Sequence, residues 1–190
     1  MVDLTDPTSA AFITLDAAER TGENHALYGG LLLAAYGEPR ETRDVDLAVA
    51  SLGAHRVGEA LEEMGFPTDL NFEGMVFGGL VLDRLTLLGG EGDLGLNTID
   101  LVRPRSDRFA RAALERASTA PLRDRTVRVL SPEDFVLFKV LSTRDRDLSD
   151  AASVVGRSGE KLDRRLIDEE IGLLADELPE VDIRGRYNQL

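Results

Sequence analysis

The sequence predicts an α+β protein, with strands and helices interleaved to about residue 130 and a wholly helical part after it. Three observations carry this reading. Short apolar or alternating runs recur between amphipathic stretches over the first two thirds of the chain. Ser131-Pro132-Glu133-Asp134 is a strong helix start, and only helical periodicity follows it. No apolar run approaches the roughly 20 residues needed to span a bilayer.

In chain order, residues 8–21 carry Ala, Phe, Ile and Leu at helical spacing after Asp6-Pro7, a helix start. "HALY" (25–28) is short and apolar, as a buried strand requires. "GGLLLAAYG" (29–37) reads as a helix opened by Gly29-Gly30 and closed by Gly37. "RDVDLAVA" (43–50) alternates and then runs apolar, a strand with a polar start. Residues 53–66 form an amphipathic helix ended by Gly65, and residues 72–88 two strands meeting at Gly78-Gly79. A glycine-rich loop (89–95), a strand (96–102), a helix near 106–117 and a short strand (126–130) complete this part. Helices are then predicted over 132–142, 147–156 and 161–177, which gives two units, 1–130 and 131–190.

Composition narrows the function. The net charge is −13 and only two of the 22 basic residues are lysines, Lys139 and Lys161. Such a surface repels polyanions at long range. There is no cysteine, so disulfides and thiolate metal sites are excluded. The polar, acidic start is unlike a secretory signal, and the expectation is a cytoplasmic protein without membrane contact. Charge is unevenly spread: residues 103–128 hold eight arginines against three acids. That excess is either a solvated face or a local basic path for a polyphosphate or nucleic acid.

Asp44 and Asp46 begin an apolar strand, and residues i and i+2 of a strand share one face. Two unneutralised carboxylates that close are unfavourable. Either the strand edge is solvated, or a divalent cation sits there, with oxygen ligands suiting Mg²⁺ or Mn²⁺. Asp100 is also an acid within an apolar strand and would complete a trio; Asp83 is its weaker competitor. Gly29-Gly30, where a strand turns into a helix, is either a tight turn or a phosphate cradle of bare backbone N–H groups.

"YGGLLLAAYGEPRETRDVDLAV" (28–49) resembles the signature of nucleotidyltransferases of the DNA polymerase β-like superfamily, most closely the branch of AbiEii-type and MenT-type toxins. Gly29, Gly30, Gly37, Pro39, Arg40, Thr42, Asp44 and Asp46 match in order. Residues 127–150 are similar to a second segment of that branch, with Lys139, Arg144, Asp147 and Asp150 in the matching places. The resemblance spans roughly residues 25–155. One departure is Gly30, where many superfamily members have serine.

The resemblance implies a mixed β-sheet flanked by helices, followed by a helical subdomain packing on it. It implies attack by an acceptor hydroxyl on the α-phosphate of a nucleoside triphosphate such as ATP, with release of pyrophosphate and two Mg²⁺ (or Mn²⁺) ions as clamp. Asp44, Asp46 and Asp100 would be both catalytic and metal-binding. Gly29, Gly30, Arg40, Arg43 and Lys139 would bind nucleotide phosphates, although either arginine could instead pair with Glu38 or Glu41 and Lys139 could merely snorkel. The implied acceptor is a tRNA 3′ end or a protein, in a toxin–antitoxin system with a cognate antitoxin as partner. A small-molecule acceptor of the antibiotic type, or a non-catalytic antitoxin-like module, are the alternatives. An RNA acceptor would be expected along Arg103, Arg105 and Arg108.

Overall fold

The computed structural model describes residues 3–36, 42–51, 53–89 and 95–190. Gly37, Pro39, Arg40 and most of the predicted loop at 89–95 lie outside the described residues.

Helix α1 (Pro7–Thr21) starts where Asp6 accepts from the backbone N–H groups of Thr8 and Ser9, and ends at Gly22 with φ 72°. Then follow β1 (His25–Tyr28), α2 (Gly29–Ala35), β2 (Asp44–Val49) and α3 (Ala54–Glu63). The hairpin β3 (Thr68–Phe77) and β4 (Leu80–Leu88) turns at Gly78-Gly79, and β5 (Leu96–Pro104) follows. Helix α4 (Asp107–Glu115) leads into a second hairpin, β6 (Ser118–Leu122) and β7 (Arg125–Val129). The rest is helical: α5 (Pro132–Leu141), α6 (Asp145–Ser158), a 3₁₀ turn, α7 (Arg164–Glu177) and α8 (Ile183–Tyr187).

Two elements escaped the sequence reading. Strand β6, "STAPL", holds Pro121, which cannot donate to a ladder. It is tolerated because β6 is the edge of the sheet. The turn after it uses Arg123 at φ 52°, a conformation without a glycine signal, and Arg123 grips the helix-capping Asp6 with contacts of 2.5 and 2.7 Å. Helix α8 is a five-residue helix capped by Asp182, too short for periodicity to reveal.

The strands form one seven-stranded mixed sheet, in the order β3-β4-β5-β2-β1-β7-β6. β2 runs parallel to β5 and antiparallel to β1, and β1 runs parallel to β7. Register then lines up one residue from each of five strands. Phe72 faces Arg84, Arg84 faces Asp100, Asp100 faces Asp46, and Asp46 faces Tyr28. Directly opposed residues share a face, so Arg84, Asp100 and Asp46 form a row of charge across β4, β5 and β2, flanked by Phe72 and Tyr28. Helix α5 packs at the end of that row. Its Phe135 and Phe138 are fully buried with ring centroids 5.5 and 5.2 Å from Tyr28. The backbone N–H of Gly79 at the hairpin tip donates to the Leu141 carbonyl at 2.8 Å, tying β3–β4 to the end of α5. Among the described residues, no helix is long and apolar enough to cross a membrane.

Candidate active site

The row of charge opens into a cleft of about 220 Å³ lined by Gly29, Gly30, Thr42, Asp44, Asp46 and Asp100 on one side. Lys139, Arg144, Arg146 and Asp147 line the other. The sheet supplies the acids, the turn into α2 supplies the glycines, and α5 with α6 supplies the cations.

Gly29 has φ 68°, in the left-handed region that L side chains avoid, and a Cβ there would overlap the Asp46 carboxylate. The missing side chain is what lets Asp46 lie against the start of α2. A Cβ on Gly30 would come within 2.6 Å of Thr42 Oγ1. The space beside Gly30 is thus already filled by the Thr42 side chain, two residues before β2 begins. Gly30→Val must therefore push Thr42 aside, and nucleoside triphosphate affinity measured by titration calorimetry is expected to fall about ten-fold or more; equal affinity would place the phosphates elsewhere.

The three acids differ in their partners. Asp100 is 3% exposed and held by both forks of Arg84, Nε to Oδ1 and Nη2 to Oδ2, each at 2.7 Å. Among the described residues, Asp44 and Asp46 have no ion-pair partner. Burial, then the neighbouring Asp100 charge and more weakly that of Asp44, push the Asp46 carboxyl up to about 6. With Asp100 turned to Arg84, no three acids among the described residues converge on one point. Asp83 sits on the opposite face of β4, where it accepts from the backbone N–H groups of Gly74 at 2.7 Å and Ala54 at 3.4 Å. It braces a β-bulge and the start of α3 and does not line the cleft.

Lys139 is 5% exposed and pairs with Asp147 at 2.7 Å and Asp150 at 3.0 Å. Arg144 joins the same Asp147 at 3.0 Å, and the Ser142 hydroxyl donates to it at 2.5 Å. Burial alone would lower the lysine, but the carboxylates of Asp147 and Asp150 beside it outweigh that and hold it charged. Its ammonium also lies 5.2 Å from the Tyr28 ring centroid. Arg43 is exposed and lines a larger adjoining hollow of about 820 Å³, which shares Thr42 and Asp44 with the cleft. Arg40 lies outside the described residues.

The Asp46 environment has a pH signature. Its folded carboxyl titrates near 6 and the unfolded one near 3.8, so the folded chain binds the extra proton between those values. Stability contributed by protonated Asp46 is therefore present below about pH 4 and lost as pH rises through about 6. In metal-free buffer, Asp46→Asn is expected to gain on the wild type by about 1–3 kcal/mol between pH 4 and pH 8. Urea unfolding at several pH values checks this, and a pH-independent difference would count against the half-buried, crowded carboxylate.

The arginines of the 103–128 segment are largely spent inside the molecule. Arg105 pairs with Glu180 at 2.6 Å, Arg108 with Glu170 and Glu177 at 2.8 and 2.6 Å, and Arg116 with Asp134 and Glu170 at 2.6 and 3.2 Å. Arg123 pairs with Asp6 at 2.5 Å and Arg125 with Asp16 at 2.6 Å. Counting charge along the sequence could not show this, because each partner lies far away in the chain.

The architecture matches solved structures along nearly its whole length. An antigenic nucleotidyltransferase-like protein from Paracoccidioides brasiliensis superposes with a TM-score of 0.55 at 17% identity, covering 94% of this chain and 91% of that one. The chain has a nucleotidyltransferase-like fold. The antibiotic-resistance factor ANT(2″)-Ia in solution gives a TM-score of 0.54 at 15% identity, covering 96% of this chain and 93% of its own. The same factor in complex with adenylyl-2″-tobramycin gives 0.50 at 14%, covering 95% and 98%. No protein-family model matches the sequence, and no curated protein matches it. The nucleotidyltransferase-like fold thus extends through the helical C-terminal residues as well as the sheet.

Proposed function

We propose that the protein is a metal-dependent nucleotidyltransferase that moves a nucleoside monophosphate from a nucleoside triphosphate to an acceptor hydroxyl. The observation that carries this is the pair Asp44 and Asp46, without an ion-pair partner among the described residues, beside Asp100 and facing Lys139 and Arg144 across one small cleft. The residues fit a divalent cation: their donors are carboxylate oxygens, and the raised Asp46 carboxyl marks a place short of positive charge. Asp44, Asp46 and Asp100 would hold Mg²⁺ or Mn²⁺, which when bound neutralises charge on the reacting phosphate oxygens. The backbone at Gly29-Gly30 would orient the triphosphate tail, with Arg40 and Arg43 reaching it from the chain between α2 and β2. Lys139, kept charged by Asp147 and Asp150, would meet the phosphates as a fixed positive point rather than a mobile one.

On the sequence resemblance, the acceptor is a tRNA 3′ end or a protein, and the chain is the toxin of a toxin–antitoxin pair acting in the cytoplasm. The unit 1–130 would hold the catalytic acids and 131–190 would supply Lys139. A second reading is favoured by the engaged arginines and the net charge of −13, which suit a cationic small acceptor better than a polyanion. The ANT(2″)-Ia complex with adenylyl-2″-tobramycin supports that class. The test is incubation with each α-labelled nucleoside triphosphate and Mg²⁺ in the presence of total tRNA, of a protein lysate, or of tobramycin. Label on one acceptor with matching pyrophosphate release is expected, and no transfer to any of them would overturn the reading.

A further inference from the structure

We propose that Arg84 is a latch on the metal site: its guanidinium and a second divalent cation compete for the Asp100 carboxylate. This rests on the metal-dependent reading above. Arg84 and Asp100 face each other across β4 and β5, so the pairing is set by strand register and not by a wandering surface side chain. Both carboxylate oxygens are engaged, each at 2.7 Å, in the two-pronged geometry that makes an arginine–carboxylate pair strong and directional. Asp100 is buried while the Arg84 side chain is a third exposed, so the arginine can leave toward solvent and the carboxylate cannot. Phe72, next in the cross-sheet row, lies under the guanidinium at 5.5 Å and offers it a face to rest on.

The cleft is electrostatically divided. Lys139 and Arg144 are taken by Asp147, and Arg84 by Asp100. Asp44 and Asp46 remain without an ion-pair partner among the described residues. A first cation held by Asp44 and Asp46 would displace no ion pair among the described residues. A second cation that drew on Asp100 would have to displace two short charge-assisted hydrogen bonds. Arg84 is therefore a positioning residue that withholds the third carboxylate from the site and orders the filling of its two cation positions.

Mn²⁺ titration followed by electron paramagnetic resonance of the free ion, without nucleotide, tests this directly. Wild type is expected to bind one Mn²⁺ per chain in the accessible range. Arg84→Met is expected to bind two, the second at least about ten-fold tighter than in wild type, and Arg84→Lys to fall between them. Adding Asp100→Asn to Arg84→Met should remove the second ion. A merely structural pair would lower the melting temperature of Arg84→Met and leave Mn²⁺ number and affinity unchanged; that result overturns the latch. Two equal sites in wild type overturn it as well. Arg84→Lys keeps the test decisive if Arg84→Met does not fold. Asp44→Asn with Asp46→Asn separates the two failures. If that protein loses its Mn²⁺ while Arg84→Met behaves as wild type, the latch is wrong and the metal reading stands. If wild type binds no Mn²⁺ at all, the metal reading fails and the latch with it.

Discussion

Asp44→Asn combined with Asp46→Asn is expected to reduce nucleotide transfer by about a thousand-fold or more, with the fold intact. Both carboxylates lie on one face of β2, and Asp46 sits between Gly29 and Asp100. Among the described residues neither has a cation to lose, so the substitution strands no partner there. It removes the negative charge that would hold the divalent ions and relieves the crowding that raises Asp46. The metal-free protein should therefore melt no lower than wild type. Mg²⁺ with triphosphate should raise the melting temperature of wild type, because a ligand of the folded state stabilises it, and should leave the substituted protein unmoved. Label transfer and thermal melting are read on the same preparations. Transfer within ten-fold of wild type, or an undiminished melting shift, would remove Asp44 and Asp46 from the chemistry.

How much of this was legible beforehand differs from residue to residue. The shared face of Asp44 and Asp46 follows from strand period alone. That Asp100 lies beside Asp46 requires β2 and β5 to be neighbours, which sequence spacing suggests only through the family resemblance. Arg84 was missed because the acid before it, Asp83, drew the attention. Alternation offered the missing signal: residues 83 and 84 face opposite ways, so if one braces α3 the other must look toward the acids. The burial of Lys139 was readable in its apolar neighbours, whereas its bond to Asp147 depends on how α5 turns into α6. The basic segment was readable as composition and unreadable as function, since its carboxylate partners come from α1, α5, α7 and the residues beyond α7.

Arg116→Met is expected to destabilise the whole chain by about 3 kcal/mol or more. Arg116 closes α4 and reaches Asp134 through two hydrogen bonds of 3.0 and 2.6 Å, and Glu170 at 3.2 Å. Asp134 is fully buried in the first turn of α5, and Glu170 is 5% exposed on α7. Glu170 keeps Arg108 at 2.8 Å when Arg116 is gone. Among the described residues Asp134 then keeps only the Ser131 hydroxyl at 2.8 Å, which leaves an uncompensated charge in the interior. A single broken buried pair costs about 3–5 kcal/mol, and Arg116 is a quarter exposed, so the lower part of that range applies. Because α5 carries Phe135 and Phe138 against Tyr28, the loss should be felt by the sheet as well as by the helices, in one cooperative urea transition. Adding Asp134→Asn should recover part of the loss, since the amide keeps hydrogen bonds and discards the charge. A single variant within about 1 kcal/mol of wild type would show that water reaches Asp134 and that the network is ornamental. A biphasic transition, with the helical residues melting first, would show that 131–190 is a unit of its own whose hold on Lys139 can be loosened without unfolding the acids.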